Sequence, residues 1–213
     1  CYVIILFSAA YNAPFNYSSA SVSSIDIDGY SSIITLNKKV YYINYGSTQD
    51  MAKLKEYLRK NNIKQIECVF FTNYDNATAA ISHIEGCNIQ KYILPYSQKY
   101  KNIFFELENE GKIKYILSDE KYTYKNLEFS AYYFNGGYCG GAVRVCGKNI
   151  LYISDCKEEC INYLTQNFEC NADIIFSPEQ YEYFSRTYNP QILVTSAYTD
   201  IDIDNIYSSG MLG

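Results

Sequence analysis

The stretch FFTNYDNATAA at residues 70–80 has the residue types of a metal-binding loop that follows a buried strand. It offers Asn73 and Asp75 as oxygen donors, but it contains no histidine. The chain has a single histidine, His83, which lies beyond this loop on a predicted helix beside Ile81 and Ile84. Zinc prefers imidazole and thiolate ligands. We therefore interpret His83 as structural or solvent-facing, and the loop as a poor zinc site.

Thiols are the other groups with metal or nucleophile chemistry. The eight cysteines are Cys1, Cys68, Cys87, Cys139, Cys146, Cys156, Cys160 and Cys170. Their spread through a large chain excludes a small disulfide framework, although one or two disulfides remain open if the domain is exported. Cys146, Cys156, Cys160 and Cys170 lack the paired short spacings of zinc sites, and Cys68 is predicted to be a core residue.

The stretch NGGYCGG at residues 135–141 suggests nucleophilic catalysis as one interpretation, because a glycine-rich turn could expose the thiol of Cys139. No base is evident beside it in the sequence, and the lysine of a phosphate-binding loop is missing. We interpret the stretch as a tight turn. The glycines predicted to supply its dihedral angles are Gly136, Gly137, Gly140 and Gly141.

Composition limits the class of protein. The chain has 213 residues, 48% of them hydrophobic and 19% charged, which is typical of a folded globular domain. The net charge of -5 repels phosphate, so overall charge gives no support to sequence-independent binding of nucleic acid. Most of the 25 tyrosines are predicted to cover half-buried strand surface, although tyrosine also stacks on bases.

The elements that would position these residues begin as strands and continue as alternating strands and helices. Strands are predicted at 21–27, 31–36, 39–44, 66–71, 89–94, 112–117, 127–134, 173–176 and 192–196, and a hairpin around Gly147-Lys148. Helices are predicted from Ser47 to Asn61, through Ile81 and Ile84, and at 97–109, about 157–168 and from Pro178. This order fits helices covering the outer faces of two stacked sheets.

The N-terminal segment CYVIILFSAA is apolar but too short to span a bilayer, which takes about 20 residues. A polar stretch, YNAPFNYSSAS, follows it like a linker. We favour the interpretation that residues 1–20 are the tail of a membrane helix or signal segment plus a linker. A buried N-terminal strand is the alternative. Residues 21–213 are predicted to form one domain.

Five short motifs occur in chain order across residues 22–200. They are DIDGYSS at 26–32, INYG at 43–46, TNYDNAT at 72–78, ILYISD ending at Asp155, and IIFSPEQY containing Pro178. Their order and spacing resemble the metallo-β-lactamase fold, and specifically the C-terminal domain of the DNA-internalization competence protein (ComEC) family. That family has DVGQGDS-like, IDTG-like, THxDxDH, GD and PHHGS-like motifs at these places. The resemblance implies an α+β fold, a metallo-β-lactamase-like αββα sandwich.

The resemblance also implies which side chains stand at the family's metal-binding positions. Asn73 and Thr78 replace the two histidines of the metal loop, and Ala77 replaces its metal-binding aspartate. Glu179 and Gln180 replace the later His-His pair. Asp26 and Ser32 of the first motif are kept, and among the metal positions Asp75 and Asp155 keep carboxylates. A zinc pair needs several converging imidazoles, so we expect the family's zinc pair to be lost and no cofactor to take its place.

A hard cation is the remaining option for these positions. If the fold is kept, Asp75, Asp155 and Glu179 could converge, with Asn73 and Gln180 as neutral oxygen donors to magnesium, manganese or calcium. We favour the alternative that these groups are relics that make local hydrogen bonds. In that interpretation Asp75 and Asp155 cap the helices that follow them, and Glu179 lies in a first helical turn.

Three functions follow from this reading. The favoured one is a non-catalytic domain of a membrane-anchored competence protein, on the extracellular side, which guides incoming single-stranded DNA or caps the channel. Tyr132, Tyr133 and Tyr138 are its candidate stacking residues. The second is a nuclease or phosphodiesterase that uses an oxygen-ligated divalent ion. The third is an extracellular interaction module without nucleic acid. The sequence does not predict the oligomeric state.

Overall fold

The computed structural model describes residues 4–10, 17–24, 31–44, 48–72, 87–96, 104–117, 120–135, 137–154, 156–168, 171–177, 179, 181–195 and 206–208. The chain divides into two compact units, whose described residues lie at 4–117 and at 120–208. Each unit is built on one seven-stranded mixed sheet. The α+β class predicted from the sequence is therefore observed.

The sheet of the first unit has the order β1-β2-β3-β4-β6-β8-β9. Its strands are β1 (Ile4–Ala10), β2 (Tyr17–Ser24), β3 (Ser32–Leu36), β4 (Lys39–Asn44), β6 (Cys68–Phe71), β8 (Tyr92–Pro95) and β9 (Ile113–Ile116). Strands β1 to β4 pair antiparallel, and β4, β6, β8 and β9 pair parallel. Two short strands, β5 (Gln65–Ile66) and β7 (Asn88–Ile89), pair separately. The helices are α1 (Thr48–Lys60) and α2 (Phe105–Asn109).

The sheet of the second unit has the order β10-β11-β12-β13-β14-β15-β16. Its strands are β10 (Lys121–Tyr124), β11 (Leu127–Phe134), β12 (Gly137–Val145), β13 (Lys148–Ile153), β14 (Ile174–Ser177), β15 (Ile192–Thr195) and β16 (Ile206–Ser208). Strands β10 to β13 pair antiparallel and β13 to β16 pair parallel. The helices are α3 (Glu158–Asn167) and α4 (Tyr181–Tyr188).

Apolar runs form the inner parallel strands. Every residue of β6, β8 and β14 is buried, as expected for strands covered on both faces. The run predicted as one strand at 66–71 is divided, because the main-chain N–H of Glu67 donates to the carbonyl of Val40 (2.8 Å) and Ile66 pairs instead with Ile89. The prediction of a continuous strand was wrong at that point.

Two tight turns set the antiparallel registers. Asn37 and Lys38 both have positive φ (50° and 65°), as the predicted turn between β3 and β4 requires. The turn between β12 and β13 is Cys146-Gly147, with φ of 50° and 76°, one residue earlier than the sequence suggested. Strands β10 and β16 were not predicted.

The N-terminal apolar segment is part of a sheet. Residues Ile4–Ala10 form β1, which pairs antiparallel with β2 from Ile4 opposite Ser23 to Ala10 opposite Tyr17. This differs from the helix end that we favoured and agrees with the strand alternative. The division into a segment at 1–20 and a domain at 21–213 stays a prediction. No helix within the described residues is long and apolar enough to cross a bilayer.

Candidate functional site

Parallel strands place their carboxyl ends at one edge of a sheet, which is where open α/β sheets bind ligands. In the first unit this edge holds buried hydroxyl groups. Ser32 begins β3 opposite Ile43 of β4, and Thr72 directly follows β6; both are fully buried. The hydroxyl of Tyr42 donates to Oγ of Ser31 (3.2 Å). Ser32 of the first sequence motif thus lies at this edge.

Thr72 is the first residue of the stretch TNYDNAT at 72–78, whose other residues lie outside the described part of the chain. Its Oγ1 is buried and has no hydrogen-bond partner within the part of the chain that the structure describes. A buried hydroxyl without a partner costs free energy, on the order of 1–3 kcal/mol. The described groups at this edge are therefore neutral hydroxyls, which are weak ligands for zinc.

Most predicted metal positions lie outside the described residues. This holds for Asn73, Asp75, Ala77, Thr78, Asp155 and Gln180, and also for Asp26, Pro178 and His83. Glu179 is described, and it is exposed. The N-cap of α3 is Lys157, whose side chain makes no capping hydrogen bond. The convergence of Asp75, Asp155 and Glu179, and the local roles suggested for them, stay predictions.

In the second unit, the segments that follow β13 and β14 are joined at the carboxyl edge. Oγ of Ser177 donates to the main-chain carbonyl of Glu179 (2.6 Å). Sγ of Cys156 lies 3.8 Å from the same carbonyl and 3.9 Å from Oγ of Ser177. The two positions flanking Asp155 and Gln180 are thus held together by a hydroxyl and a thiol. The sequence analysis missed this link, because a serine that ends a strand and a cysteine near a helix start carry no spacing signal.

The described cysteines do not form the zinc site considered from the sequence. Cys160 is buried in the apolar core beneath α3, whereas Cys146 lies in the β12–β13 turn, where burial raises the pKa of its thiol. Cys170 lies outside the described residues. Among the six cysteines that are described there is no disulfide, and no cluster of three histidine, cysteine or acidic side chains is found in the described ranges.

Burial raises the pKa of two further thiols in the first unit, Cys68 and Cys87. Desolvation raises the pKa of Cys68 well above its ordinary value, and burial likewise raises the pKa of Cys87. A raised pKa leaves less thiolate, and the thiolate is the nucleophile and the metal ligand. Cys68, which is fully buried, serves packing as predicted, whereas Cys87 is only partly buried.

The glycine-rich stretch begins at the tight turn between β11 and β12, where Phe134 pairs with Gly137, and continues as a strand; Gly136 lies outside the described residues. Strand β12 starts at Gly137, and Cys139 within it is fully buried, so its thiol is not presented as a nucleophile. The left-handed turn position is taken by Asn135, with φ of 48°. Gly140 is required for another reason: a Cβ there would collide with the main-chain carbonyl of Tyr152 on β13. The dihedral argument was therefore wrong at Gly140.

The three candidate stacking tyrosines have different surroundings. Tyr132 is 7% exposed and lies edge-on to Phe168, with ring centroids 6.0 Å apart, so its ring is not available to a ligand. Tyr133 is 38% exposed and pairs across the strands with Tyr138. The rings of Tyr133 and Tyr138 are 5.1 Å apart and tilted by 58°. This pair lies at the same edge as Cys139, whose carbonyl accepts from the N–H of Ser154 (2.8 Å).

Comparison with known proteins identifies the fold. No protein-family model matches the sequence, and no curated protein is significantly similar to it. A protein from Parabacteroides distasonis, assigned as a metal-dependent hydrolase, superposes with a TM-score of 0.59 at 13% identity, covering 97% of this chain and 98% of that one. The metallo-β-lactamase fold protein YhfI from Bacillus subtilis superposes with a TM-score of 0.58 at 10% identity, covering 90% and 83%.

A third similar structure is CmlA, a diiron β-hydroxylase from Streptomyces venezuelae, with a TM-score of 0.53 at 9% identity. The superposition covers 80% of this chain and 43% of CmlA. At these identities the likeness shows the fold alone. This chain has the metallo-β-lactamase fold, as the order of its motifs predicted.

Proposed function

We propose that this chain is a metal-depleted domain of the metallo-β-lactamase fold that binds single-stranded DNA without cleaving it. In this proposal it belongs to a membrane-anchored DNA-uptake protein of the ComEC type, with the domain on the extracellular side. The observation that carries the proposal is the donor set. One histidine in 213 residues cannot supply the imidazoles of a zinc pair.

The described edges of both sheets support the loss of zinc chemistry. Within the described residues they present the hydroxyls of Ser32, Thr72 and Ser177 and one thiol, Cys156, which is fewer thiolate or imidazole ligands than a zinc pair needs. Activating a water between two metals requires ligands that hold both ions at a short separation. The residues therefore do not fit the zinc pair that the fold family implies, and we derive no hydrolytic step from it.

The Tyr133–Tyr138 pair supports binding of single strands. Exposed aromatic side chains, such as those at the end of the β11–β12 hairpin, can stack on bases regardless of sequence. Removing such a ring costs about 1–3 kcal/mol of binding free energy per base. The net charge of -5 opposes the phosphate backbone. We therefore expect weak binding that relies on stacking and has a small salt dependence.

Fluorescence anisotropy with a labelled oligothymidine at low ionic strength tests the proposal. Tyr133→Leu keeps apolar area but removes the aromatic face, and it should weaken binding by about 10-fold. Tyr124→Leu is the matched control, because Tyr124 is half-buried beside Leu127 at the other end of β11. It should leave the affinity unchanged.

Two outcomes contradict the proposal. If the unmodified chain shows no binding at low ionic strength, the domain is an interaction module or a structural cap. If the oligonucleotide is cleaved when magnesium or manganese is added, the alternative of an oxygen-ligated nuclease site is correct. Gel analysis of the same samples detects cleavage.

A further inference from the structure

The helix-bearing face of the second sheet contains an open groove at the carboxyl end of α3. Its volume is about 250 Å³. Ser130 of β11 and Ala142 of β12 lie at its floor and are both nearly buried. Tyr132 and Phe168 form one wall. The groove has no part in the proposed DNA site, so each proposal can fail without the other.

Three charged side chains line this groove because of the strand register. Glu128 on β11 lies directly opposite Arg144 on β12, and Ser130 lies opposite Lys121 on β10. Residues opposite each other in a sheet point to the same face. Lys121 and Arg144 are two strands apart and offset by two residues along the strands, about 12 Å in all, and their side chains are long enough to converge on a ligand above Ser130.

These three charged side chains form no ion pair among the described residues. Among the described residues, no ion pair or side-chain hydrogen bond is found for Lys121, Glu128 or Arg144, although Glu128 directly faces Arg144. Elsewhere in the unit, Lys148 pairs with Asp173 at 2.7 Å. The groove therefore offers two cations and one carboxylate to a ligand.

The rim of the groove next to Arg144, at Asn149 and Asn167, is rich in hydrogen-bond acceptors. The amide nitrogen of Asn149 donates to the carbonyl of Asn171 (3.1 Å), and that of Asn167 donates to the carbonyl of Tyr163 (2.8 Å). The side-chain carbonyl oxygens of both residues are thus left for a ligand. The carboxyl end of α3, which has no basic residue in its last turn, adds negative potential.

We propose that this groove binds a zwitterionic ligand, a free α-amino acid or a short peptide. Its carboxylate lies against Lys121 and Arg144, its ammonium group lies against Glu128, and the acceptor rim beyond Arg144 accepts from its remaining N–H groups. Glu128 between two cations disfavours a polyanion, because it repels phosphates. The small volume suits a ligand of this size rather than a larger cofactor.

Chemical-shift titration of the isotope-labelled chain with the dipeptides Ala-Ala, Ala-Glu and Ala-Phe tests this site. We expect at least one of them to shift the amides of Ser130, Ala142 and Asn167 with a Kd of about 1 mM or tighter. N-acetylated and C-amidated forms of that dipeptide each lack one charge. Each should bind at least about 10-fold more weakly.

Glu128→Gln and Arg144→Gln should each weaken binding by about 10-fold. Arg59→Gln on α1 is the matched control, since Arg59 is exposed in the other unit, and it should bind as the unmodified chain does. Circular dichroism checks that the variants fold. If a variant unfolds, the blocked dipeptides on the unmodified chain decide the question.

Three results would overturn the proposal. The first is the absence of shifts at the groove with all three dipeptides at about 10 mM. The second is equal binding of the blocked and free dipeptides. The third is inorganic phosphate shifting the same amides as strongly as the dipeptides do, which would make the groove a simple anion site.

Discussion

Gly140 is required because strands β12 and β13 approach each other too closely there to leave room for a side chain. Gly140 pairs with Ile153, and a side chain at this position would meet the carbonyl oxygen of Tyr152. Sequence reasoning could not find this cause, because the crowding depends on how closely β13 approaches β12. It could only note that glycines cluster in the stretch.

Gly140→Ala should therefore lower the free energy of unfolding by about 3 kcal/mol, since a main-chain carbonyl in the middle of a sheet cannot move away freely. Gly111→Ala is the comparison, because Gly111 has φ of 68° and open space around it. Its cost should be about 1 kcal/mol, from the left-handed backbone alone. Urea unfolding measures both, and equal costs would contradict the crowding argument.

Tyr92 is expected to make the free energy of unfolding depend on pH. Burial raises its pKa to about 12, with smaller contributions from nearby Cys87 and Glu110. An unfolded tyrosine titrates near pH 10. Above that pH the unfolded chain releases a proton that the folded chain retains, so stability is unaffected below pH 10 and falls as the pH rises toward 12.

Between pH 10 and 12 we expect the titration of Tyr92 to lower the free energy of unfolding by about 1–2 kcal/mol, which is less than a fully shielded hydroxyl would give. Tyr92→Phe keeps the ring that stacks on Phe71 (centroids 6.5 Å apart) and removes the titration. Unfolding free energies from pH 8 to 12 should fall less steeply in the variant. Parallel curves for the two proteins would show that Tyr92 is not the source.

At the scale of elements, burial on both faces made strands predictable. The apolar runs of β6, β8 and β14 indicate strands without ambiguity, because each is covered on both sides. Strand β10, with the sequence KYTY, alternates exposed and half-buried residues at a sheet edge and forms through its pairing with β11. Such a strand depends on its partner and has no strong signal of its own.

The start of β13 is tied to the start of β14 by Asp173. One carboxylate oxygen accepts from Nζ of Lys148 (2.7 Å), and the other accepts from the main-chain N–H of Asn149 (2.9 Å). Asp173→Ala leaves that N–H without its partner. We expect this to lower the free energy of unfolding, measured by urea titration, by about 1–3 kcal/mol.

The control for Asp173 is Glu56→Ala, which removes an exposed i,i+4 ion pair with Lys60 (2.6 Å) on α1. Exposed pairs of this kind contribute little to stability. The unfolding midpoint of the Glu56 variant should match that of the unmodified chain. An equally small effect at Asp173 would show that its tie does not hold the two strands together.

For the whole molecule, the sequence predicted the fold more completely than the site. The fold follows from five motifs in order, whose strands bury large apolar areas and tolerate changes in individual residues. The predicted site depends on single side chains, including Asp75, Asp155 and Gln180, which lie outside the described residues, and single polar residues are not fixed by hydrophobic pattern. The sequence shows only that histidines are absent from the positions that the resemblance implies for metal binding, whereas Asp75 and Asp155 are carboxylates.

The central claim is that this metallo-β-lactamase fold does not hold a zinc pair. The direct measurement is the zinc content of the purified chain, by elemental mass spectrometry after incubation with excess zinc and desalting. Because the chain has one histidine, we predict well below one zinc per chain. Two zinc ions per chain, with the content reduced in Asp155→Ala, would contradict the account.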